Sequence, residues 1–374
     1  MTQAARPWLA PLVPIYRFGI ALRGLGLRTG LEPVRRLRSP VVSIGNLSTG
    51  GSGKTPLAIA LARALKERGV RADVLSRGYG RTGKSAARVD PNGTAEEFGD
   101  EPLVIAREAG VPVYVAARRY QAGLLAEQEL AALQSEPRDD VSGHDRGTHP
   151  AGGSRAEDAQ KTAGASAPAC TIHLLDDGFQ HRQLHRDVDI LLVSGADLQD
   201  RLLPAGNLRE PLHAISRATV VALTMPEAPI PGAPSPGAPN MEQTLRSLGL
   251  WRGPVWRLHR RMQVPVIEGP VVAFCGIARP GQFFAGLENA GLHVASRIAF
   301  ADHHRYVQHD IDCILEAART IRAAALVTTE KDRVRLAHLF SSLAAALPIE
   351  TAGLRIEIED EDRAIEWLLG QLPR

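Results

Sequence analysis

The run Gly45-Asn46-Leu47-Ser48-Thr49-Gly50-Gly51-Ser52-Gly53-Lys54-Thr55 constrains the fold more than any other stretch of the chain. A loop this rich in glycine can curl until several backbone N–H groups converge on one anion. Lys54 then reaches the outer phosphates of a nucleotide, Thr55 offers a hydroxyl to Mg2+, and a helix starting at Lys54 aims its positive dipole end at the same charge. The general phosphate-loop pattern has glycine at position 48, where this chain has Ser48, but the GGSGKT core is intact. The flanks agree. Pro40 to Ile44 is a short β-branched run that predicts a strand, Lys54 to Arg68 has helical periodicity closed by Gly69, and Arg71 to Leu75 predicts a second strand. Such a strand–loop–helix–strand unit builds parallel sheets. Ser48, Thr49, Gly50, Gly51, Ser52, Gly53, Lys54 and Thr55 are therefore the expected nucleotide cradle, with ATP and Mg2+ as cofactors.

The rest of the chain repeats the alternation. Strands are expected at 112–115, 171–175, 188–193 and 219–223, with helical pattern over 101–109 and 118–133. Beyond a Pro/Gly-rich stretch, strands at 255–258, 271–274, 295–300 and 325–328 alternate with helices at 283–290, 310–322 and 362–369. The fold class is α/β: a P-loop NTPase-type, mostly parallel sheet with a second, smaller α/β lobe and an N-terminal interfacial helix. The expected division is an N-terminal helix over 1–30, a P-loop domain over 31–225, a linker over 226–254 and a smaller lobe over 255–374. Residues 134–169 have almost no large apolar side chain and read as a disordered surface insertion.

Charge is distributed unevenly. Residues 1–38 hold seven arginines against Glu32, a net of +6, while the remainder carries −3. A basic arm suggests an anionic surface, lipid or nucleic acid. The apolar stretch from Trp8 is interrupted by Arg17 and Arg23, so no run approaches the roughly 20 residues needed to span a bilayer, and the arginines sit wrongly for a secretory signal. At helical spacing Ile15, Phe18, Leu22 and Leu25 share one side, which predicts a helix lying on a membrane surface. The three cysteines are far apart and indicate neither a disulfide framework nor a zinc site, which suits a reducing, cytoplasmic setting.

Further segments carry chemistry. Asp176 and Asp177 end a strand in LLDDGFQH, where a carboxylate can hold a nucleotide's metal. Asp100 and Glu101 open a helix in GDEP, a favourable place for acids even without a function. LLPAGNLREP, FADHHRY and TTEKD complete the set. The adjacent His303 and His304 must point in different directions, so the pair alone is weak evidence for a metal.

In this order, the series GNLSTGGSGKTP, SRGYGR, GDEP, DDGFQHR, LLPAGNLREP, DHHRY and TTEKD resembles the tetraacyldisaccharide 4'-kinases of lipid A biosynthesis, over about residues 8–335. The resemblance implies transfer of the ATP γ-phosphate to the 4'-hydroxyl of a tetraacylated disaccharide 1-phosphate. It implies Lys54 and Thr55 on phosphate and Mg2+, Asp176, Asp177 and Glu210 around the metal, and Asp100 removing the hydroxyl proton with His303 as its partner. Arg77, Tyr79, Arg119 and Arg209 are implied for phosphates of the lipid or of ATP. The partners implied are an acylated disaccharide lipid and the inner-membrane surface, with no nucleic acid, and the location is the cytoplasmic face, peripheral through the N-terminal helix. Two other readings of the P-loop stand beside this one. A membrane-associated partner-switching ATPase shares GGSGKT, but many such proteins have lysine where this chain has Thr49. A soluble small-molecule kinase would need neither the basic apolar N-terminus nor a second lobe.

Overall fold

A computed structural model describes residues 6–135, 171–225 and 241–373. A 3-10 turn (Pro7–Leu12) leads into helix α1 (Val13–Arg28). Strand β1 (Val41–Asn46) is buried along its whole length, as an apolar strand covered on both faces must be. The phosphate loop follows, and α2 (Lys54–Glu67) buries Leu57, Leu61 and Leu65 against the sheet. The chain continues through β2 (Ala72–Ser76), a two-residue edge strand β3 (Ala87–Arg88), α3 (Ala95–Phe98), α4 (Asp100–Ala109), β4 (Val113–Val115) and α5 (Arg119–Ser135). After residue 170 come β5 (Ile172–Asp176), β6 (Val188–Val193), α6 (Gly195–Gln199) and β7 (Val220–Thr224).

The second half of the chain adds α7 (Met241–Ser247), β8 (Val255–Gln263), β9 (Pro270–Cys275), α8 (Pro280–Asn289) and β10 (His293–Ala299). It ends with α9 (Gln308–Ile321), β11 (Ala325–Thr329), α10 (Glu330–Leu336), α11 (Leu339–Ala346), β12 (Ile349–Ile358) and α12 (Glu361–Gln371).

All these strands join one sheet, in the order β10-β9-β11-β12-β8-β7-β6-β1-β5-β2-β4-β3. Pairing is parallel except for β8 with β12 and β3 with β4. The expected second lobe is therefore not a separate sheet: β8 pairs with β7 on one side and β12 on the other, and β12 pairs with β11. Helices cover both faces, with α2, α4 and α12 on one side of the first half.

Two expected boundaries shift. Of the expected linker, residues 226–240 lie outside the described residues, but 241–254 is not linker. Met241 and Leu245 are one helical turn apart in α7, and Leu245 is fully buried beside Val221 and Leu223. The Pro/Gly composition stops at Asn240, and helical packing starts at once. Of the expected insertion, Gln134 and Ser135 complete α5, while residues 136–169 lie outside the described residues.

Helix α1 has two apolar sides. Val13, Tyr16, Ile20 and Gly24 are half-buried against the body. The Tyr16 hydroxyl donates to the Arg209 carbonyl at 3.0 Å, and an Arg23 guanidinium N–H donates to the Gln180 carbonyl at 3.3 Å. On the other side Leu12, Ile15, Phe18, Leu22 and Leu25 all face outward, Ile15 and Phe18 at 69% exposure. No described helix is long and apolar enough to cross a membrane.

Candidate active site

The site lies at the carboxyl ends of β1 and β5, next to each other at the centre of the sheet's first half, where open α/β sheets bind ligands. Register pairs Ile44 with Asp176, so the phosphate loop and the acidic loop leave the sheet side by side. Gly45 makes this possible: a Cβ there would stand 2.5 Å from Phe179 Cβ, so only glycine lets the DDGF loop pack onto β1. Gly53 has φ of +93°, the left-handed conformation that turns the loop into α2.

Lys54 Nζ donates to Asn46 Oδ1 at 3.0 Å and stands 3.5 Å from Asp177 Oδ1. Arg209 clamps the same carboxylate from the other side, with contacts of 2.8 and 3.0 Å, and also donates to Asn46 Oδ1. Burial alone would raise the Asp177 pKa, but Lys54 and Arg209 hold it well below the ordinary carboxylate range. Asp177 has φ of +50°, strained for a residue with a side chain and held by the packed loop around it.

Asp176 is the opposite case. It is fully buried, and its Oδ1 has no hydrogen-bond partner. Burial, with the negative charges of Glu101 and Asp177, pushes its pKa up to about 7. A buried, unpartnered carboxylate oxygen lining the same cleft as Thr55 suits a divalent cation, so Asp176 and Thr55 fit Mg2+. Glu210 does not stand with them. Arg217 grips it through both oxygens at 2.6 and 3.1 Å, and it does not line the cleft.

A cleft of about 940 Å³ opens between the two halves of the sheet. Thr49 to Thr55, Arg77, Tyr79, Arg119 and Arg209 line one wall, and Arg260, Phe283 and His303 line the other. His303, on the cleft wall, meets the buried Asp100 behind it. His303 Nδ1 lies 3.2 Å from Asp100 Oδ2, and Tyr79 packs its ring 5.2 Å from the imidazole. The loop after β10 presents His303 with φ of +59°, a second strained site residue. Its pKa is raised, chiefly by the hydrogen bond to Asp100, although burial opposes this. His304 points elsewhere, as adjacent histidines must: it bonds Asp310 at 2.9 Å and stacks on Phe300.

Sequence reasoning missed the residues that fix this pair. Arg335 of α10 is 7% exposed and donates to Asp100 Oδ2 through Nε, at 2.9 Å, and through a terminal nitrogen. One turn earlier, Lys331 reaches Glu101 at 2.5 Å. Lys331 was visible in TTEKD, and Arg335 follows at i+4 on the same helix face, which was the one available signal. A cluster of cations also surrounds His181. Burial first, then the charges of Arg119, Arg186, Arg23 and Arg77, push its pKa down to about 4. Arg119 also donates to the Asp177 carbonyl at 3.4 Å.

Comparison with known proteins gives one answer. Residues 5–373 match the family model described as tetraacyldisaccharide-1-P 4'-kinase. A tetraacyldisaccharide 4'-kinase of Koribacter versatilis is 37% identical over 374 residues, covering 97% of this chain and 98% of that protein. Another, from Geobacter metallireducens, is 36% identical over 350 residues and 90% of each chain. Among solved structures, LpxK from Aquifex aeolicus in complex with ATP aligns at a TM-score of 0.67 and 28% identity, covering 99% of this chain and 100% of that one.

Proposed function

Because the chain belongs to the tetraacyldisaccharide-1-P 4'-kinase family, we propose that the cleft between its two halves is where nucleotide and lipid disaccharide meet. The enzyme is an ATP-dependent kinase of lipid A biosynthesis. It transfers the γ-phosphate of ATP to the 4'-hydroxyl of an acylated disaccharide 1-phosphate. The observation that carries the assignment of roles is that Lys54, Asp176, Asp177 and His303 line one cleft from opposite halves of the sheet, with Asp100 bonded to His303.

In this reading the backbone of residues 48–55 cradles the triphosphate, while Lys54 and Arg209 neutralise its outer charges. Thr55 and Asp176 would hold Mg2+, which with Asp177 nearby would spread the charge of the β- and γ-phosphates. Asp100 is a poor proton acceptor. Burial favours its neutral form, but the hydrogen bond from His303 and the charges of Arg335 and Lys331 outweigh that and keep its pKa well below the carboxylate range. Asp100 therefore orients, and His303 accepts. The 4'-hydroxyl proton passes to His303, the hydroxyl oxygen bonds the γ-phosphorus, the bridge to the β-phosphate breaks, and ADP leaves. Arg77, Arg119 and Tyr79 stand where the lipid's headgroup and phosphate would be held. A P-loop lobe over 31–225 and a second lobe over 255–374 closing on both substrates belong to the same proposal.

A substrate with several acyl chains stays in its bilayer, so the cleft has to come to it. The outward side of α1 is suited to docking there, because each large apolar side chain taken from water contributes about 1.5–3 kcal/mol. Each arginine beside an anionic leaflet adds about 1 kcal/mol. The enzyme would sit peripherally on the cytoplasmic face of the inner membrane, where ATP is available. A partner-switching ATPase would have no use for an acceptor-side pair such as Asp100 and His303. The test is transfer of labelled γ-phosphate to the detergent-dispersed disaccharide 1-phosphate, measured beside release of free phosphate. Release without transfer would overturn the reading.

A further inference from the structure

We propose that Arg335 is a positioning residue for the phosphoryl transfer, one that fixes Asp100 as a permanent anion and so makes His303 the group on which the reaction's proton rests. This builds on the pairing of Asp100 with His303 put forward above. Four contacts converge on the guanidinium. Nε and one terminal nitrogen donate to Asp100 Oδ2, and the other terminal nitrogen donates to Asp332 Oδ1 at 3.1 Å and to the Gly276 carbonyl. The nitrogen on Asp100 also lies 3.2 Å from His303 Nδ1.

The chemistry of the trio is unequal. A guanidinium has only donors and does not lose its charge, so it can never take the hydroxyl proton. Asp100 spends Oδ1 on the Glu101 backbone N–H at 2.9 Å and Oδ2 on Arg335 and His303. Both of its oxygens are engaged, and it is 5% exposed. His303 has a side chain 39% exposed and a second ring nitrogen 3.9 Å from Asp302. Nδ1 also feels two opposed partners. Asp100 accepts from it and favours a proton there; Arg335 can only donate to it and, being cationic, disfavours one. The groups that face His303 are Asp100 from α4, Arg335 from α10, Asp302 from its own loop and the Tyr79 ring, while Glu101 is paired with Lys331 and Asp332 with Arg335. Among these, Arg335 is the cation in contact with both Asp100 and the imidazole.

The two influences on His303 have opposite signs, which gives the test. Removing Asp100 takes away a negative charge and moves the acid limb of the kcat–pH profile to lower pH. Removing Arg335 takes away a positive charge while Asp100 stays on the Glu101 N–H, so Arg335→Gln moves the limb to higher pH, by about half a unit or more. The alkaline plateau should fall less than about 10-fold, and the KM for ATP should hold. Arg335→Lys keeps the charge without the planar fork. Its limb should stay within about 0.3 units of the unmodified enzyme's, and it carries the test should Arg335→Gln not fold. A kcat lowered equally at every pH, a limb moving to lower pH in Arg335→Gln, or a displaced limb in Arg335→Lys would each make Arg335 merely structural. His303→Gln is the control. If it leaves kcat untouched, the pairing itself fails; if it is strongly impaired while Arg335→Gln leaves the limb in place, only the role of Arg335 fails.

Discussion

Arg209 lies against the carboxylate of Asp177 with both oxygens engaged, at 2.8 and 3.0 Å, while Lys54 waits 3.5 Å from the same group. Two cations are thus stored on one carboxylate beside the phosphate loop. Asp177→Asn should leave both uncompensated, so the KM for ATP should not rise while kcat falls ~10²-fold or more, the scale of a lost charge-stabilising group. Steady-state kinetics with varied ATP checks this. A large rise in KM with unchanged kcat would mean that Asp177 serves only to bind the nucleotide.

Lys54 is the cation that the phosphate loop itself supplies, whereas Arg209 approaches through Asn46 and Asp177. Lys54→Ala is expected to lose most phosphoryl transfer while keeping the fold, since among the described residues its side chain makes these two polar contacts, with Asn46 and Asp177. Circular dichroism beside the transfer assay checks both halves. Near-normal turnover by the folded variant would contradict the assignment of the loop.

Asp100 and His303 should behave as one unit. Asp100→Ala and His303→Ala are each expected to lower kcat ~10²-fold or more, and the double variant should be scarcely worse than the poorer single one. The hydrogen bond to Asp100 raises the His303 pKa, so the neutral, proton-accepting form accumulates only above the ordinary histidine range. Activity should therefore climb with pH through that higher value, and Asp100→Asn should move the climb to lower pH. Fully multiplicative losses would separate the two residues.

The outward side of α1 can be changed without touching the fold. Phe18→Glu alters a side chain that is 69% exposed, so thermal stability should move by no more than about 0.5 kcal/mol. Binding to anionic vesicles should weaken and the KM for the lipid should rise. Unchanged vesicle binding would remove the interfacial role of the helix.

A buried pair inside the sheet should set the alkaline limit of stability. His173 on β5 is 1% exposed, 2.7 Å from Asp73 on β2 and 3.7 Å from Glu127 on α5. Burial opposes its charge, yet Asp73 and Glu127 raise its pKa to about 9. A histidine with a raised folded-state pKa stabilises fully below its unfolded value near 6.5 and loses that contribution as pH rises through about 9. The Tm should fall between pH 7 and 9.5, and His173→Gln should flatten that slope. An unchanged slope would show that the pair does not titrate in this window.

What could be read from the sequence was what is local. The phosphate loop, its strand and helix, and the acids after β5 are contiguous, and each motif's backbone geometry is dictated by its own glycines and β-branched residues. The apolar side of α1 followed from spacing alone. Partners across the sheet could not be read. Beyond its i+4 spacing from Lys331, nothing in RVRLAHLF announces that Arg335 will meet Asp100, because the contact exists only after β11 has taken its place beside β9. Glu210 was placed in the right loop, but the arginine that claims it, Arg217, lies one short helical segment away and looks like any surface cation. Strand β12 was missed because Ile349 to Leu354 alternates poorly and follows an alanine-rich helix, so only its neighbours reveal it.

That strand is also the last one in the chain, and it is the one that joins the halves, pairing with β8 on one side and β11 on the other. During synthesis, β1 to β8 can assemble behind the ribosome, and β9, β10 and β11 can form their own parallel group. Until residues 349–358 emerge, each group presents an unpaired edge, the kind of surface that recruits other chains. A ribosome that stalls short of β12 would leave two sticky half-sheets and no shared wall between them. The union of nucleotide side and acceptor side thus waits on residues 349–358, and a clip through β12 should cost the protein its solubility before its phosphate loop is touched.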